Sequence, residues 1–181
     1  MTKAFLTTLF IIISSSIFFT TTFSFPRDEK LTQMTFYYQE TNAAREPRDL
    51  TGITVVPPVN WTTTNFGSVE VMDDPMRETA DPSSKLLGRI QGMYVYASKE
   101  EYSVLMVMNL VFMEGSGTTY NGSTLSLVGK NSLLAEEREM SVVGGSGVFR
   151  LARGFVTLRT IVFDRKTNNV IIQYNLTVLH Y

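Results

Sequence analysis

The chain has 181 residues, with 16 lysines and arginines against 17 aspartates and glutamates, and it contains no cysteine. This length fits one domain with a sizeable core, and a near-zero charge without a basic block argues against nucleic acid as a partner. The lack of cysteine excludes disulfides, a thiol nucleophile and a thiolate metal site, so stability has to come from a packed core and from association of subunits.

The N-terminus has the pattern of a secretory signal peptide. Lys3 supplies a positive start, and residues 4–19 are almost wholly apolar or hydroxylic. A retained anchor helix is the alternative, but a serine triplet interrupts a run that is short for a bilayer. We therefore predict a signal peptide at residues 1–24, cleaved after Ser24, and a secreted single domain at residues 25–181.

Three N-glycosylation sequons agree with a secretory route. They begin at Asn60, Asn121 and Asn175. Each also has an ordinary explanation, since sequons occur by chance and Asn121-Gly122 is a hairpin-turn signal. We predict that at least one of the three carries a sugar.

Short segments of alternating or continuous apolar residues, separated by Gly, Asn, Asp and Pro turns, predict an all-β sandwich or barrel. The predicted strands are residues 34–38, 69–72, 86–96, 104–113, 124–128, 148–151, 155–163 and 170–181. In the last of these, Ile172, Tyr174, Leu176 and Val178 share one face, which we expect to point inward, with Asn175 on the solvent face.

Proline and glycine mark the predicted interruptions. Val55-Val56 is followed by two prolines and has to leave a central sheet. Asp73-Asp74-Pro75 is either a turn or the rim of a pocket, and we favour the turn. Gly144, Gly145 and Gly147 predict a turn or bulge at a sheet corner, because a phosphate loop would also need its Lys and Ser/Thr.

The residues available for chemistry are carboxylates, arginine and phenols. His180 is the single histidine, and we expect it at the surface or at a strand end, which sets aside a triad or a zinc site. Glu40 directly follows an apolar strand, where burial would raise the pKa of a carboxyl group. Arg138 lies in an acidic stretch and, on sequence alone, predicts an exposed ion pair.

The order of several motifs resembles the plant dirigent proteins, over about Met34 to Tyr181. The motifs are Phe36-Tyr37-Tyr38-Gln39-Glu40, Asp73-Asp74-Pro75, Gly88-Arg89-Ile90-Gln91-Gly92-Met93-Tyr94, and residues 122–131, 138–154 and 174–181. The resemblance implies an eight-stranded antiparallel β-barrel that associates as a homotrimer, each barrel holding its own pocket.

The resemblance also implies a set of pocket residues. Glu40 matches an aspartate at the end of the first strand in lignan-forming dirigents, and Asn131 matches a second aspartate. Arg138, Tyr94 and Tyr96 match residues that those proteins keep. We therefore predict Glu40, Arg138 and Tyr94 as catalytic residues, and Tyr96 and Asn131 as substrate-binding residues. Ordinary core packing is an equally good explanation for the two tyrosines.

Three functions follow from this resemblance. The first is a secreted, apoplastic protein that binds phenylpropanoid phenoxy radicals or quinone methides and controls the face on which they join. A separate laccase or peroxidase would supply the oxidation, since the chain lacks copper-ligand and haem-ligand residues, and no cofactor or metal is expected. The second is a lyase, similar to the pterocarpan synthase branch, that dehydrates an isoflavanol through a quinone methide. The third is a wall-associated binding protein without a stereochemical role.

Overall fold

The computed structural model describes residues 28–60 and 63–181. The predicted signal peptide, residues 1–24, lies outside the described residues. Within the described part of the chain there are nine β-strands: β1 (Lys30–Glu40), β2 (Gly52–Val56), β3 (Val69–Arg77), β4 (Leu86–Tyr96), β5 (Ser103–Phe112), β6 (Thr124–Ser132), β7 (Arg138–Ser146), β8 (Arg153–Phe163) and β9 (Val170–His180). Two single-turn 3₁₀ helices lie at Pro47–Asp49 and Gly147–Phe149.

Eight of these strands form a closed antiparallel barrel, as predicted. The strand order is β1-β9-β8-β7-β6-β5-β4-β3-β2, and the ring closes because β1 also pairs with β3. That closing contact matches Tyr37 with Arg77 and Tyr38 with Met76. The ninth strand, β2, is an addition that pairs with β3 and with no other strand of the described residues.

The prediction of a turn at Asp73-Asp74-Pro75 is wrong, because β3 continues through these residues. Pro75 is tolerated there because it falls in a gap along one edge of β3. Pairing with β2 ends at Met72 and pairing with β1 begins at Met76. The lack of a backbone N–H at Pro75 therefore removes no hydrogen bond between strands. Asp74 lies on the inward face of β3 between two buried methionines.

The inward face of β9 is as predicted. Ile172, Tyr174, Leu176 and Val178 are buried, while Asn175 is exposed. Tyr174 stacks on a residue of β1, Phe36, with ring centroids 5.2 Å apart and planes at 21°. Burial of side chains of this size stabilises the fold by about 1.5–3 kcal/mol each, which gives a barrel without disulfides its core.

The glycine cluster marks both a bulge and a turn. The sequence prediction missed β7 and placed a strand at residues 148–151, where the chain instead forms a 3₁₀ turn. The register between β6 and β7 slips by one residue at Val143, directly before Gly144 and Gly145. Gly147 has φ of +64° and makes the turn itself.

One end of the barrel is filled by aromatic rings. Phe149 lies 5.0 Å from the ring of Tyr120 and 5.0 Å from that of His180. The imidazole is buried, with Nε2 2.9 Å from the Thr32 hydroxyl and Nδ1 2.9 Å from the Val148 carbonyl oxygen. His180 therefore ends a strand as expected but is not a surface residue, and both its nitrogens have structural partners.

Candidate functional site

A cavity of about 900 Å³ occupies the other end of the barrel. Its walls come from the end of β1, the end of β4, the start of β5, the end of β6 and the starts of β7 and β9, which antiparallel pairing brings to the same end. All five residues predicted for the site line it: Glu40, Tyr94, Tyr96, Asn131 and Arg138. Loop residues at Asn42, Leu50, residues 133–136 and Asn168 also line it, at its mouth.

Glu40 and Tyr94 make the central contact of the cavity wall. The Tyr94 hydroxyl lies 3.0 Å from Oε1 of Glu40 and 2.6 Å from Oε2 of Glu70. A phenol has one proton to donate, so both contacts are hydrogen bonds only if one of the two carboxyls is itself protonated. Burial raises the pKa of Glu40, and hydrogen bonds with Tyr94, Tyr38 and Asn42 oppose that rise in part. Glu40 is therefore the carboxyl suited to hold the proton.

The position of the Glu40 carboxyl depends on a glycine at the start of β2. A Cβ added at Gly52 would lie 2.5 Å from Oε1 of Glu40 and 2.7 Å from Oδ1 of Asn42. Since real Cβ atoms do not approach that closely, any larger residue would displace the carboxyl group. The loop carrying Asn42 is held across the mouth by the Asn169 side chain, whose Oδ1 accepts from the Asn42 amide N–H at 2.8 Å.

Asp74 is a second buried carboxyl that the sequence prediction missed. It is completely buried, and burial followed by the charge of Glu40 raises its pKa to about 8. The Thr51 hydroxyl donates to Oδ1, whereas Oδ2 has no hydrogen-bond partner among the described residues. Asp74 does not line the cavity but lies behind its wall. The alternation Met72, Asp74, Met76 would have revealed it had the strand been extended through the proline.

Arg138 is buried, so the prediction of an exposed ion pair is wrong. Its side chain enters the barrel from the first residue of β7, while the neighbouring Glu136 pairs with Arg159 on the surface at 3.0 Å. Nη1 donates to the Thr160 hydroxyl at 2.8 Å, but Nε and Nη2 have no partner in the described part of the chain. Burial lowers the pKa of the guanidinium from its usual value. A buried cation with two free donors is suited to an anionic or carbonyl oxygen.

Asn131 and the tyrosine pair complete the wall. Asn131 is buried with its amide 3.0 Å from the sulfur of Met106, and its side-chain oxygen has no partner among the described residues. Tyr96 contacts Tyr94 edge-on, with centroids 6.0 Å apart, and Tyr102 at 5.5 Å. These rings pack in the core and also face the cavity, so packing and binding are compatible here.

Tyr174 was not predicted as a polar residue of this region. Its ring fills the core, yet its buried hydroxyl has no hydrogen-bond partner among residues 28–60 and 63–181. Burial raises the pKa of this phenol, the charge of Arg138 lowers it, and Asp74 and Glu40 raise it further. The phenol of Tyr174 therefore lies close enough to Arg138, Asp74 and Glu40 for their charges to shift its pKa. From the sequence, only the inward orientation of this side chain on β9 could be predicted.

Outside the cavity, the three sequon asparagines Asn60, Asn121 and Asn175 are all exposed. Within the described residues, no group of three His, Cys, Asp or Glu side chains is placed to bind a metal ion. Over the same two stretches, 28–60 and 63–181, no helix has the length and apolar character needed to cross a membrane.

Comparison with known proteins gives consistent matches over nearly all of the barrel. Residues 31–179 match the profile of the family described as "Dirigent-like protein". The chain is 42% identical over 154 residues to Dirigent protein 23 of Arabidopsis thaliana, covering 84% of this chain and 79% of that protein. It is 36% identical over 159 residues to Pterocarpan synthase 1 of Glycyrrhiza echinata, covering 86% and 81%. A solved structure of a pterocarpan synthase dirigent protein superposes with a TM-score of 0.77 at 34% identity, covering 87% of this chain and 89% of that one.

Proposed function

The chain belongs to the dirigent family, and on that premise we propose that it binds phenylpropanoid phenoxy radicals or quinone methides and imposes stereoselectivity on their coupling. Family membership itself suggests a phenolic substrate. The observation that carries the proposal is the polarity of the cavity. Glu40 and Tyr94 provide a protonatable group at one part of the wall. At another part, Arg138 provides two donors that have no partner among the described residues.

Glu40 and Arg138 would both assist the attack of a hydroxyl group on the methide carbon of a quinone methide. The attacking oxygen forms a bond to the methide carbon and loses its proton, and the quinone oxygen gains charge and then a proton. Glu40 in its ionised form would take the proton from the attacking hydroxyl. Arg138 would donate to the quinone oxygen, where a charge-assisted hydrogen bond stabilises developing phenolate.

The aromatic residues of the cavity wall would determine which face of the bound phenylpropanoid reacts. Tyr94 and Tyr96 offer ring edges and faces on which a phenylpropanoid ring can stack. The volume lies within the range of ordinary small-molecule sites, which allows a bound phenolic to be held in a restricted orientation. Orientation is then the main contribution, since radical coupling itself forms a bond from one electron of each partner. The oxidation that makes the radicals would come from a separate laccase or peroxidase.

A second function is favoured by one observation, the burial and raised pKa of Glu40. A protonated carboxyl in the cavity could protonate a departing hydroxyl group, so that an isoflavanol loses water and closes a ring through a quinone methide. Pterocarpan synthases are among the relatives that the chain resembles. This lyase reaction uses the same residues and needs no oxidant.

Chiral chromatography with purified protein separates these functions. One mixture contains coniferyl alcohol and a one-electron oxidant, and the other contains an isoflavanol without oxidant. Enantiomeric excess in the first supports the coupling function, and turnover in the second alone supports the lyase. Racemic product in the first with no turnover in the second would refute both and leave a binding role.

We also propose a homotrimer, supported by an apolar row on the outer barrel surface. Val71, Met93 and Val107 lie directly opposite one another on β3, β4 and β5, and each side chain is about two-fifths exposed. Exposed apolar residues that form a continuous row mark an interaction surface more than scattered ones do. Scattering or sedimentation at micromolar concentration would measure the mass.

Secretion is proposed from the predicted leader and from the family, whose members are generally extracellular. The mature chain would start near Phe25 and carry sugar on at least one of Asn60, Asn121 and Asn175, which are all exposed. N-terminal sequencing and glycosidase treatment of protein secreted from plant cells test this. Retention of Met1 without a mobility shift would refute it.

A further inference from the structure

One carboxyl of the cavity wall, Glu70, has no role in the proposed function. It lies near the start of β3, directly opposite Tyr94 on β4, and its side chain lines the cavity. Oε2 of Glu70 is 2.6 Å from the Tyr94 hydroxyl, and Oε1 of Glu40 is 3.0 Å from the same oxygen. One phenol oxygen therefore contacts two carboxyl groups that come from different strands.

The two distances assign a direction to these hydrogen bonds. A hydroxyl that donates to an ionised carboxylate lies roughly 2.5–2.7 Å from it, and bonds between neutral groups are longer. The shorter contact therefore indicates that Tyr94 donates its proton to an ionised Glu70, while a protonated Glu40 donates to the Tyr94 oxygen. Burial agrees with this direction. Glu40 is buried and Glu70 is partly exposed, so a negative charge is less costly on Glu70.

We propose that Glu70 is a positioning residue that exchanges the proton of Glu40 with solvent through the Tyr94 hydroxyl. The proposal rests on the proposed function of Glu40 as the acid or base of the cavity. In that function Glu40 gains or loses a proton in every turnover, and its original state has to be restored. Glu70 can restore it because its side chain reaches solvent and shares the Tyr94 hydroxyl with Glu40.

The transfer is balanced in atoms and charge. Glu40 gives its proton to the Tyr94 oxygen as Tyr94 gives its own proton to the Glu70 carboxylate. Glu40 becomes a carboxylate, Glu70 becomes an acid, and Tyr94 is unchanged. In the new state Tyr94 donates to Glu40, and Glu70 can release its proton to water. The reverse sequence returns a proton to Glu40.

The surrounding groups keep the two carboxyls from ionising together at low cost. Burial raises the pKa of Glu40 most, and the charge of Glu70 adds to that rise. Further acids interact electrostatically with one or both carboxyls: Tyr38 from β1, Asp74 from β3, Tyr94 and Tyr96 from β4, and Tyr174 from β9. Two arginines line the same cavity, Arg138 from β7 and Arg159 from β8. Glu40 and Glu70 are therefore expected to titrate as a coupled pair.

Glu139 provides a matched control. It is a glutamate on β7 whose side chain is exposed on the outer face of the barrel, next to the inward Arg138 and Met140. Glu70→Gln and Glu139→Gln are therefore the same chemical change at a position inside the cavity and at one outside it.

The first test needs no substrate. Side-chain carboxyl ¹³C shifts are followed by NMR against pH, and the Glu40 signal is assigned by its loss in Glu40→Gln. Glu70→Gln should lower the midpoint of the Glu40 titration, because the neighbouring charge that raises the pKa of Glu40 is removed. The same substitution made in Tyr94→Phe should lower the midpoint less, since the shared hydroxyl is absent. Glu139→Gln should leave the midpoint unchanged.

The second test uses turnover in the assay mixture in which the wild type is active. Glu70→Gln should lower kcat about tenfold with little change in KM, and the limb of the pH–rate profile that reports Glu40 should move to lower pH. Glu70→Ala leaves room for a small carboxylic acid, so added acetate should restore part of its kcat. Acetate should have no effect on the wild type or on Glu139→Ala.

The outcomes separate this proposal from the proposed function. A Glu40 midpoint that moves no more in Glu70→Gln than in Glu139→Gln would overturn the shared proton. A loss of activity that appears only in KM, or that acetate does not restore, would overturn the exchange role of Glu70. If the NMR results hold but the wild type acts on neither substrate mixture, the proposed function fails and the shared proton stands. Should Glu70→Ala not fold, the pH–rate profile of Glu70→Gln decides.

Discussion

The hydroxyl of Tyr94 lies 3.0 Å from Oε1 of Glu40, and this contact joins the fourth strand of the barrel to the end of the first. The two residues are 54 positions apart in the chain. The contact joins a phenol that faces the cavity to the carboxyl best suited to hold a proton there. The protonation of Glu40 is therefore coupled to the aromatic wall.

Tyr94→Phe should raise the pKa of Glu40 further, because the hydrogen bond from Tyr94 lowers it. The pH–rate profile of turnover should shift to higher pH on its acid side, with a loss of activity of about tenfold. Tyr37→Phe is the control, since Tyr37 contacts Gln173 at 3.2 Å and does not line the cavity. An unshifted profile in Tyr94→Phe would contradict this coupling.

Gly52→Ala should disturb the site while leaving the barrel folded. The added Cβ would meet Oε1 of Glu40 at 2.5 Å, so the carboxyl has to move. Displacement of about 1 Å in a catalytic group costs up to a hundredfold in rate, and we expect a loss of tenfold or more. Gly144→Ala is the control, because a Cβ there meets no atom within 4 Å. Equal activity in both variants would show that the Glu40 position is not critical.

Much of the barrel could be predicted from sequence, because inward-facing apolar residues repeat with a period of two. β4, β5, β8 and β9 were located within a few residues. The strand β7 was missed because it begins in an acidic stretch and ends in glycines, so its apolar alternation is limited to Met140 and Val142. The predicted strand ended at Met72, before β3 ends, because Pro75 was read as part of a turn. Pro75 fits within the strand only because it lies in the gap between the two partner strands.

The site was only partly predictable, because the positions of some of its residues depend on how the strands pair. The alternation of inward and outward positions along the strands, together with the family resemblance, was enough to place Glu40, Tyr94 and Tyr96 in the cavity. Asp74 could not, since its burial depends on the continuation of β3 through proline. The buried state of Arg138 contradicts the charge pattern around it, because its acidic neighbours turn outward and Glu136 pairs with Arg159.

Asp74 should make the protein less stable as the pH rises from about 4 to about 8. Its folded pKa of about 8 is above its unfolded value, so its stabilising contribution is complete below the unfolded pKa and is lost as pH rises through the folded one. The free energy of unfolding should fall by at most about 1.4 kcal/mol per pH unit in that window. Urea titrations of the wild type and Asp74→Asn should show a shallower pH dependence in the variant. Parallel curves would refute the raised pKa.

Met93→Glu should dissociate the proposed trimer, because it puts a charge in the middle of the exposed apolar row between Val71 and Val107. Sedimentation should show a lower mass with the barrel's circular dichroism retained. Thr157→Glu, a partly buried position on the outer face of β8, is a control on a different strand. A wild-type protein that is monomeric at micromolar concentration would exclude the trimer directly.

The most direct measurement of the central claim is product enantiomeric excess and turnover for Arg138→Leu and Glu40→Gln in the two assay mixtures. Arg138→Leu should remain folded and lose stereochemical bias by about ten- to a hundredfold, since a bond to a charged group is worth about 1.5–3 kcal/mol. Glu40→Gln keeps the shape but not the titrating carboxyl. Under the coupling function it should cost little beyond binding, and under dehydration it should abolish turnover. If both variants fold and match the wild type in both mixtures, the assignment of this cavity as the functional site is contradicted.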